Sequence, residues 1–167
     1  MGDKFVDDGR TIFDFGGRFL VRCPRCFHRA EVMPKDMALT DIFAPRRFSC
    51  LRCGLTREWA THVSDHIYIR DGQWSQKPEP ISIGGPHDWY FRYSLWLQTS
   101  CCGRVLWAYN AAHLHYLNQC IGARVREQEG VSNFSLASRL PKWIKTAKNR
   151  DAVLKGLDRL DALLLGS

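Results

Sequence analysis

The 167 residues are 45% hydrophobic and include six Trp, five Tyr and nine Phe, enough apolar material for a packed core, which excludes a largely disordered chain. No apolar run approaches the ~20 residues of a membrane-crossing helix, and the acidic stretch 1–10 lacks the apolar centre of a secretory signal, so the expected compartment is the cytoplasm. The formal net charge of +7 is uneven, with +6 in residues 18–57, +4 in 139–167 and −1 in 60–100, a distribution suited to a polyanion.

In chain order, residues 1–15 are acidic, with Phe5, Ile12, Phe13 and Phe15 scattered among them, and read as an arm that docks its aromatics on the body. Residues 18–22 and 29–33 predict a strand and its return. Pro34 and Pro45 bracket a segment in which Asp36 is placed to cap a short helix. Residues 46–49 and 56–62 predict two more strands, completing a first module at 16–62 and leaving 63–167 as a second. Within the second, 66–70, Asp71-Gly72 and 73–75 read as a hairpin, and the Pro- and Gly-containing stretch 76–87 as a linker. Residues 88–100 alternate strictly, with Trp89, Phe91, Tyr93, Leu95 and Leu97 on one face and Tyr90, Arg92 and Trp96 facing outward, which predicts a long strand returned by 104–109. Asn110 is placed to cap a helix running to about Glu129, with Leu114, Leu117, Ile121 and Val125 on its apolar side and Gly130 ending it. Pro141 opens a further helix carrying Trp143, Ile144 and Ala147. Val153, Leu157, Leu160 and Leu164 form an apolar stripe beyond it. The expected class is α+β: an N-terminal four-cysteine module, a small antiparallel sheet, and C-terminal helices packed on one face.

Seven cysteines are an odd number, and four of them form two CxxC pairs, Cys23-Pro24-Arg25-Cys26 and Cys50-Leu51-Arg52-Cys53-Gly54. In a reducing compartment that spacing points to metal rather than disulfides. Each CxxC turn sets two sulfurs on one side of a tight loop, and two such loops on neighbouring hairpins supply a tetrahedron of thiolates, the arrangement zinc favours. With Cys23, Cys26, Cys50 and Cys53 all bound, no coordination position stays open for water or substrate, so one Zn2+ in a structural role is expected. His28, two residues past Cys26, is read as a loop histidine, with a competing ligand as the alternative. Over residues 18–60 these knuckles resemble the zinc-ribbon family, known from transcription factors, RNA polymerase subunits and many small bacterial proteins. The chain departs from the pattern in the 23 residues between its two pairs, longer than the usual span of about 15–20. The resemblance implies a binding module more readily than an enzyme.

The expected function is a zinc-stabilised nucleic-acid-binding protein. The candidate contacts are Arg25, Arg46, Arg47, Arg52 and Arg92, with Lys142, Lys145, Lys148 and Arg150 on a basic C-terminal helix. The alternative is a protein-interaction adaptor docking through the ribbon or through Trp143 and Leu157. Cys101, Cys102 and Cys120 read as small buried hydrophobes rather than a second metal site. His62 and His66 flank a predicted strand and are not expected to converge. An enzyme would need Asp88, Cys101 or His113 gathered in one pocket, and no phosphate loop, acidic metal-ligand pair or triad accompanies them.

Overall fold

The structure is a computed structural model that describes residues 4–38, 41–60, 81–123, 125–128 and 134–166. The hairpin expected at 66–70 and 73–75 and the pair His62 and His66 lie outside the described residues. In chain order, β1 is Lys4–Asp7, followed by a 3-10 turn at Ile12–Phe15 that drops Phe15 into the core. Next come β2 (Phe19–Arg22), β3 (Arg29–Pro34), β4 (Arg46–Ser49) and β5 (Thr56–Trp59). Then follow β6 (Gln98–Cys101), β7 (Arg104–Trp107), α1 (Ala111–Gly122) and β8 (Val125–Gln128). Two single turns, α2 (Leu136–Arg139) and α3 (Lys142–Lys145), lead to the long C-terminal helix α4 (Arg150–Leu165). The class is α+β, and no helix among the described residues is long and apolar enough to cross a membrane.

Strands β2 to β5 form one antiparallel sheet in sequence order. Register puts Phe19, Val21, Ala30, Val32 and Phe48 on one face, and all five are buried. That face packs against Trp89, Tyr90, Leu95 and Tyr109, so the sheet and the C-terminal part share one continuous core. The free edge of β2 is covered by residues 94–96: Arg22 N–H donates to Ser94 O and Trp96 N–H donates to Leu20 O.

The long strand expected at 88–100 is replaced by a closed loop and the short β6. The Asp88 carboxylate is buried and accepts the backbone N–H groups of Tyr90 (2.9 Å), Phe91 (2.8 Å) and Tyr93 (2.6 Å). Holding those amides on one side chain bends the chain, and Arg92 sits at φ 59 to let it turn. Alternation therefore fails, and Tyr90, expected to face outward, is buried with its hydroxyl donating to Ile42 O. Burial raises its pKa to about 12, against the pull of Arg46.

The helix expected to reach Glu129 stops at Gly122. Ala123 turns extended, and Arg150 donates to the freed carbonyls of Gly122 (2.7 Å) and Ala123 (3.1 Å). The chain then forms β8, which pairs in parallel with β1, Lys4 opposite Val125 and Asp7 opposite Gln128. A backbone ladder to β1 wins over helix continuation once Gly122 has weakened the helix. The arm does dock as expected through Phe5 and Phe15, whereas Phe13 stays half exposed. Helix α4 buries Val153, Leu157 and Leu160 against α1 and the β6–β7 hairpin. Gly156 allows the close approach, because a Cβ there would lie 2.8 Å from Leu106 Cδ2.

Candidate metal centre

The two CxxC loops close the β2–β3 and β4–β5 hairpins at the same end of the sheet. Their backbones follow one pattern. In the first, Cys23 N–H donates to His28 O and Phe27 N–H donates back to Cys23 O. In the second, Cys50 N–H donates to Leu55 O and Gly54 N–H donates back to Cys50 O. The residue after each second cysteine is left-handed, Phe27 at φ 61 and Gly54 at φ 71. Glycine reaches that conformation without strain and phenylalanine does not, so the first knuckle is the more strained of the two.

Folding brings the four sulfurs within 4.8 Å of one another, with Cys23 Sγ to Cys53 Sγ at 3.7 Å and Cys26 Sγ to Cys50 Sγ at 3.5 Å. Four thiolates bonded to one ion at about 2.3 Å would stand about 3.8 Å apart, so the cluster fits a tetrahedral metal ion. Cys23 and Cys50 are buried, and Cys26 and Cys53 are half-buried. Burial opposes ionisation of Cys23, yet the backbone N–H groups of Cys26 and Arg25 and the neighbouring thiols together pull its pKa down to about 7. At Cys26 the His28 backbone favours the thiolate, but burial and the three neighbouring sulfurs outweigh it and push the value up to about 12. Four ionised sulfurs this close would repel one another, and a cation at their centre would relieve that repulsion. The His28 ring lies 2.8 Å from Cys26 O through Nδ1 and is not among the four clustered ligands.

Arginines gather at the same end. Arg25 and Arg52 stand exposed inside the two knuckles. Arg22 and Arg57 are exposed on the strands flanking them, and Arg92 is exposed on the Asp88 loop that abuts β2. Residues 20–30, 42–57 and 89–97 contain no Asp or Glu. Among the described residues, Arg25, Arg52, Arg57 and Arg92 have no carboxylate partner. Half-buried aromatic rings adjoin these cations: Trp96 lies under the Arg22 guanidinium (5.8 Å), and Phe91 stacks on Tyr93 (5.5 Å) beside Arg92. The sheet's acids, Glu31 and Glu58, sit farther from the knuckles and are paired, Glu31 with Arg18 and Glu58 with Lys35 (2.9 Å) and Arg47 (3.4 Å). Arg22 and Arg57 belong to the basic excess of residues 18–57 but are not among the contacts expected from sequence. Their signal is position, one residue before Cys23 and four after Cys53.

Other candidate contacts are placed elsewhere. Arg46 is 2% exposed, a correction to its expected surface role. Register puts it on the same inward face as Phe48. Its guanidinium lies over the Tyr90 ring (4.7 Å) and donates to the carbonyls of Asp41, Gly16 and Gly17. Burial lowers its pKa, against the pull of Tyr90 and Asp41. The C-terminal set is likewise separated from the knuckles. Lys142, Lys145 and Lys148 are exposed and precede α4, with Lys145 Nζ donating to Ser138 O, while Arg150 closes the end of α1. The far end of α4 reaches the sheet, where Arg29 donates to Leu164 O and Trp96 Nε1 to Leu163 O. Sixteen residues at about 1.5 Å each hold the two basic regions about 24 Å apart. Leu157, expected as an adaptor contact, is fully buried, whereas Trp143 is half-buried.

Cys101 and Cys120 are buried as small hydrophobes, and burial and the neighbouring thiol raise the pKa of Cys101. Cys102 is exposed, because it occupies the β6–β7 turn at φ 53. His113 lines a cavity whose lining includes neither Asp88 nor Cys101. The chain matches no protein-family model, no curated protein and no solved structure.

Proposed function

We propose that the chain is a zinc-stabilised nucleic-acid-binding protein of zinc-ribbon type, and that its contact surface is the metal end of the four-stranded sheet. Zinc is the metal best matched to four cysteine thiolates at tetrahedral spacing, and a filled sulfur shell gives it a structural role. The observation that carries the reading is the cluster of Arg22, Arg25, Arg52, Arg57 and Arg92 around the four cysteines, with no carboxylate partner among the described residues. Guanidinium groups grip phosphate in a two-pronged fashion. The half-buried rings of Trp96, Phe91 and Tyr93 among those cations add stacking surface for unpaired bases. An exposed Phe27 on the first knuckle extends that surface.

The test is a mobility-shift titration with single- and double-stranded DNA and RNA at 50 and 200 mM salt. About four phosphate contacts predict a loss of affinity of roughly 50-fold for single strands to 150-fold for duplex DNA between the two salts. No shift with any of the four at 50 mM removes the proposal. Elemental analysis should find one zinc per chain.

A second reading is favoured by one observation: the knuckle tips present Phe27 at 67% and Leu51 at 96% exposure, unusual for apolar side chains. On that reading the knuckles dock on a protein partner. The complex would survive nuclease and be lost in a Phe27→Ser, Leu51→Ser double variant, whereas nucleic-acid binding would follow the arginines.

A further inference from the structure

At the far side of the core from the knuckles lies a cavity of about 460 Å³, within the range of small-molecule sites. Its walls are mainly apolar and come from separate parts of the chain: Ile83, Val105 and Leu117, then Leu136, Leu140 and Trp143. Among the described residues, Arg139 is the one charged lining residue and no acid lines the cavity.

One polar side chain in this wall is almost fully buried. The His113 ring is 2% exposed and is held by Phe15 stacked at 4.9 Å, Trp107 at 5.7 Å and Tyr109 at 5.3 Å. Its Nδ1 accepts the backbone N–H of Tyr109 (3.2 Å), so the proton of the neutral ring is on Nε2. Burial holds the ring pKa down to about 3, which keeps that tautomer neutral across the physiological range. Nε2–H meets no acceptor among the described residues, whereas Thr11 Oγ1 is paired with Asp14 and Gly84 N–H with the Tyr109 hydroxyl. The fully enclosed unpaired side-chain atoms among the described residues are Arg46 Nε and Trp89 Nε1, so His113 Nε2–H is not sealed off, and a ligand oxygen in the cavity could accept it.

We propose that this cavity binds a small apolar molecule bearing one oxygen acceptor, a carboxylate or carbonyl, which takes the His113 Nε2–H while its hydrocarbon body fills the space between β7, α1 and the α2–α3 turns. The neutral donor and the Arg139 cation, with no acid among the described lining residues, select against ammonium-bearing ligands of the same size. This site is separate from the metal end of the sheet and does not rest on the nucleic-acid reading.

The test uses 1-anilinonaphthalene-8-sulfonate, an aromatic body with an oxygen-rich head, with emission read by energy transfer from Trp107 and Trp143 in the wall. Saturable binding at one site per chain is expected, competed by decanoate and not by decylammonium at equal concentration. Val105→Trp, at a 43% exposed rim position, should abolish binding while leaving the melting temperature within a few degrees. His113→Leu should weaken decanoate competition by about tenfold. Because that variant removes a buried hydrogen bond and is open to folding effects, the rim variant decides where the ligand sits. Absence of saturable binding, undiminished binding in Val105→Trp, or equal competition by decylammonium overturns the proposal.

Discussion

The Asp88 carboxylate, with three backbone amides converging on it, shows how one residue can override a pattern spread over thirteen. Replacing it with Ala leaves those N–H groups without their acceptor, and a loss of about 2–4 kcal/mol is expected in urea denaturation, with partial recovery in Asp88→Asn. The alternation of residues 88–100 was legible, but the strand it implied was not there. Period two also arises when a loop buries side chains on both of its sides, and a local acceptor for backbone amides leaves no trace in hydropathy. Arg46 escaped for a related reason: arginines are usually exposed, although its position two residues before Phe48 on a strand already placed it on the inward face. His113 gives a pH signature. The unfolded chain binds a proton at this histidine below about pH 6.5, and the folded chain refuses it until about pH 3. Stability should therefore fall as pH drops through that window, by up to about 1.4 kcal/mol per unit, and be flat above it as far as this group is concerned. Urea midpoints at pH 7 and pH 5 should differ less in His113→Leu than in the parent.

At the level of elements, the four short strands around the cysteines were the most legible part of the chain, found within a residue or two at most ends. Chelation spacing, β-branched and aromatic content and the flanking turns all agreed there. The C-terminal end of α1 was not legible, because Val125 continued the helical stripe and the partner that claims it as a strand lies more than a hundred residues earlier. The knuckles lock only one end of the sheet, and its inner face is independently anchored on Trp89 and Leu95. Removing one ligand by Cys26→Ser should release the metal and lower stability by at least about 3 kcal/mol, a melting shift of roughly 6–12 °C. Helix ellipticity at 222 nm should nevertheless persist below the new transition, since α1 and α4 pack on each other away from the cysteines. Loss of all helix signal on chelation at 25 °C would contradict this division of labour.

Across the whole molecule, charge is segregated along α4, with arginines at its sheet end and lysines before its start. Charge reversal in Arg25→Glu with Arg52→Glu should abolish nucleic-acid binding at 50 mM salt, whereas Lys142→Ala, Lys145→Ala and Lys148→Ala together should change it less than about threefold. Equal losses in both variants would mean that the two regions serve one long ligand. The two halves of the fold also differ in when they can form. The two knuckles together supply the four clustered cysteines and are complete once Cys53 has been made, so the proposed metal site can assemble early in synthesis. The parallel ladder between β1 and β8 cannot: the opening strand must wait for residues 125–128 to leave the ribosome before its amides have a partner and Phe5 a seat beside Tyr116. Folding thus stitches β1 to a segment made more than a hundred residues later. A protein shortened by its first seven residues would be born with an uncovered edge at β8, a ready template for sticking to its neighbours.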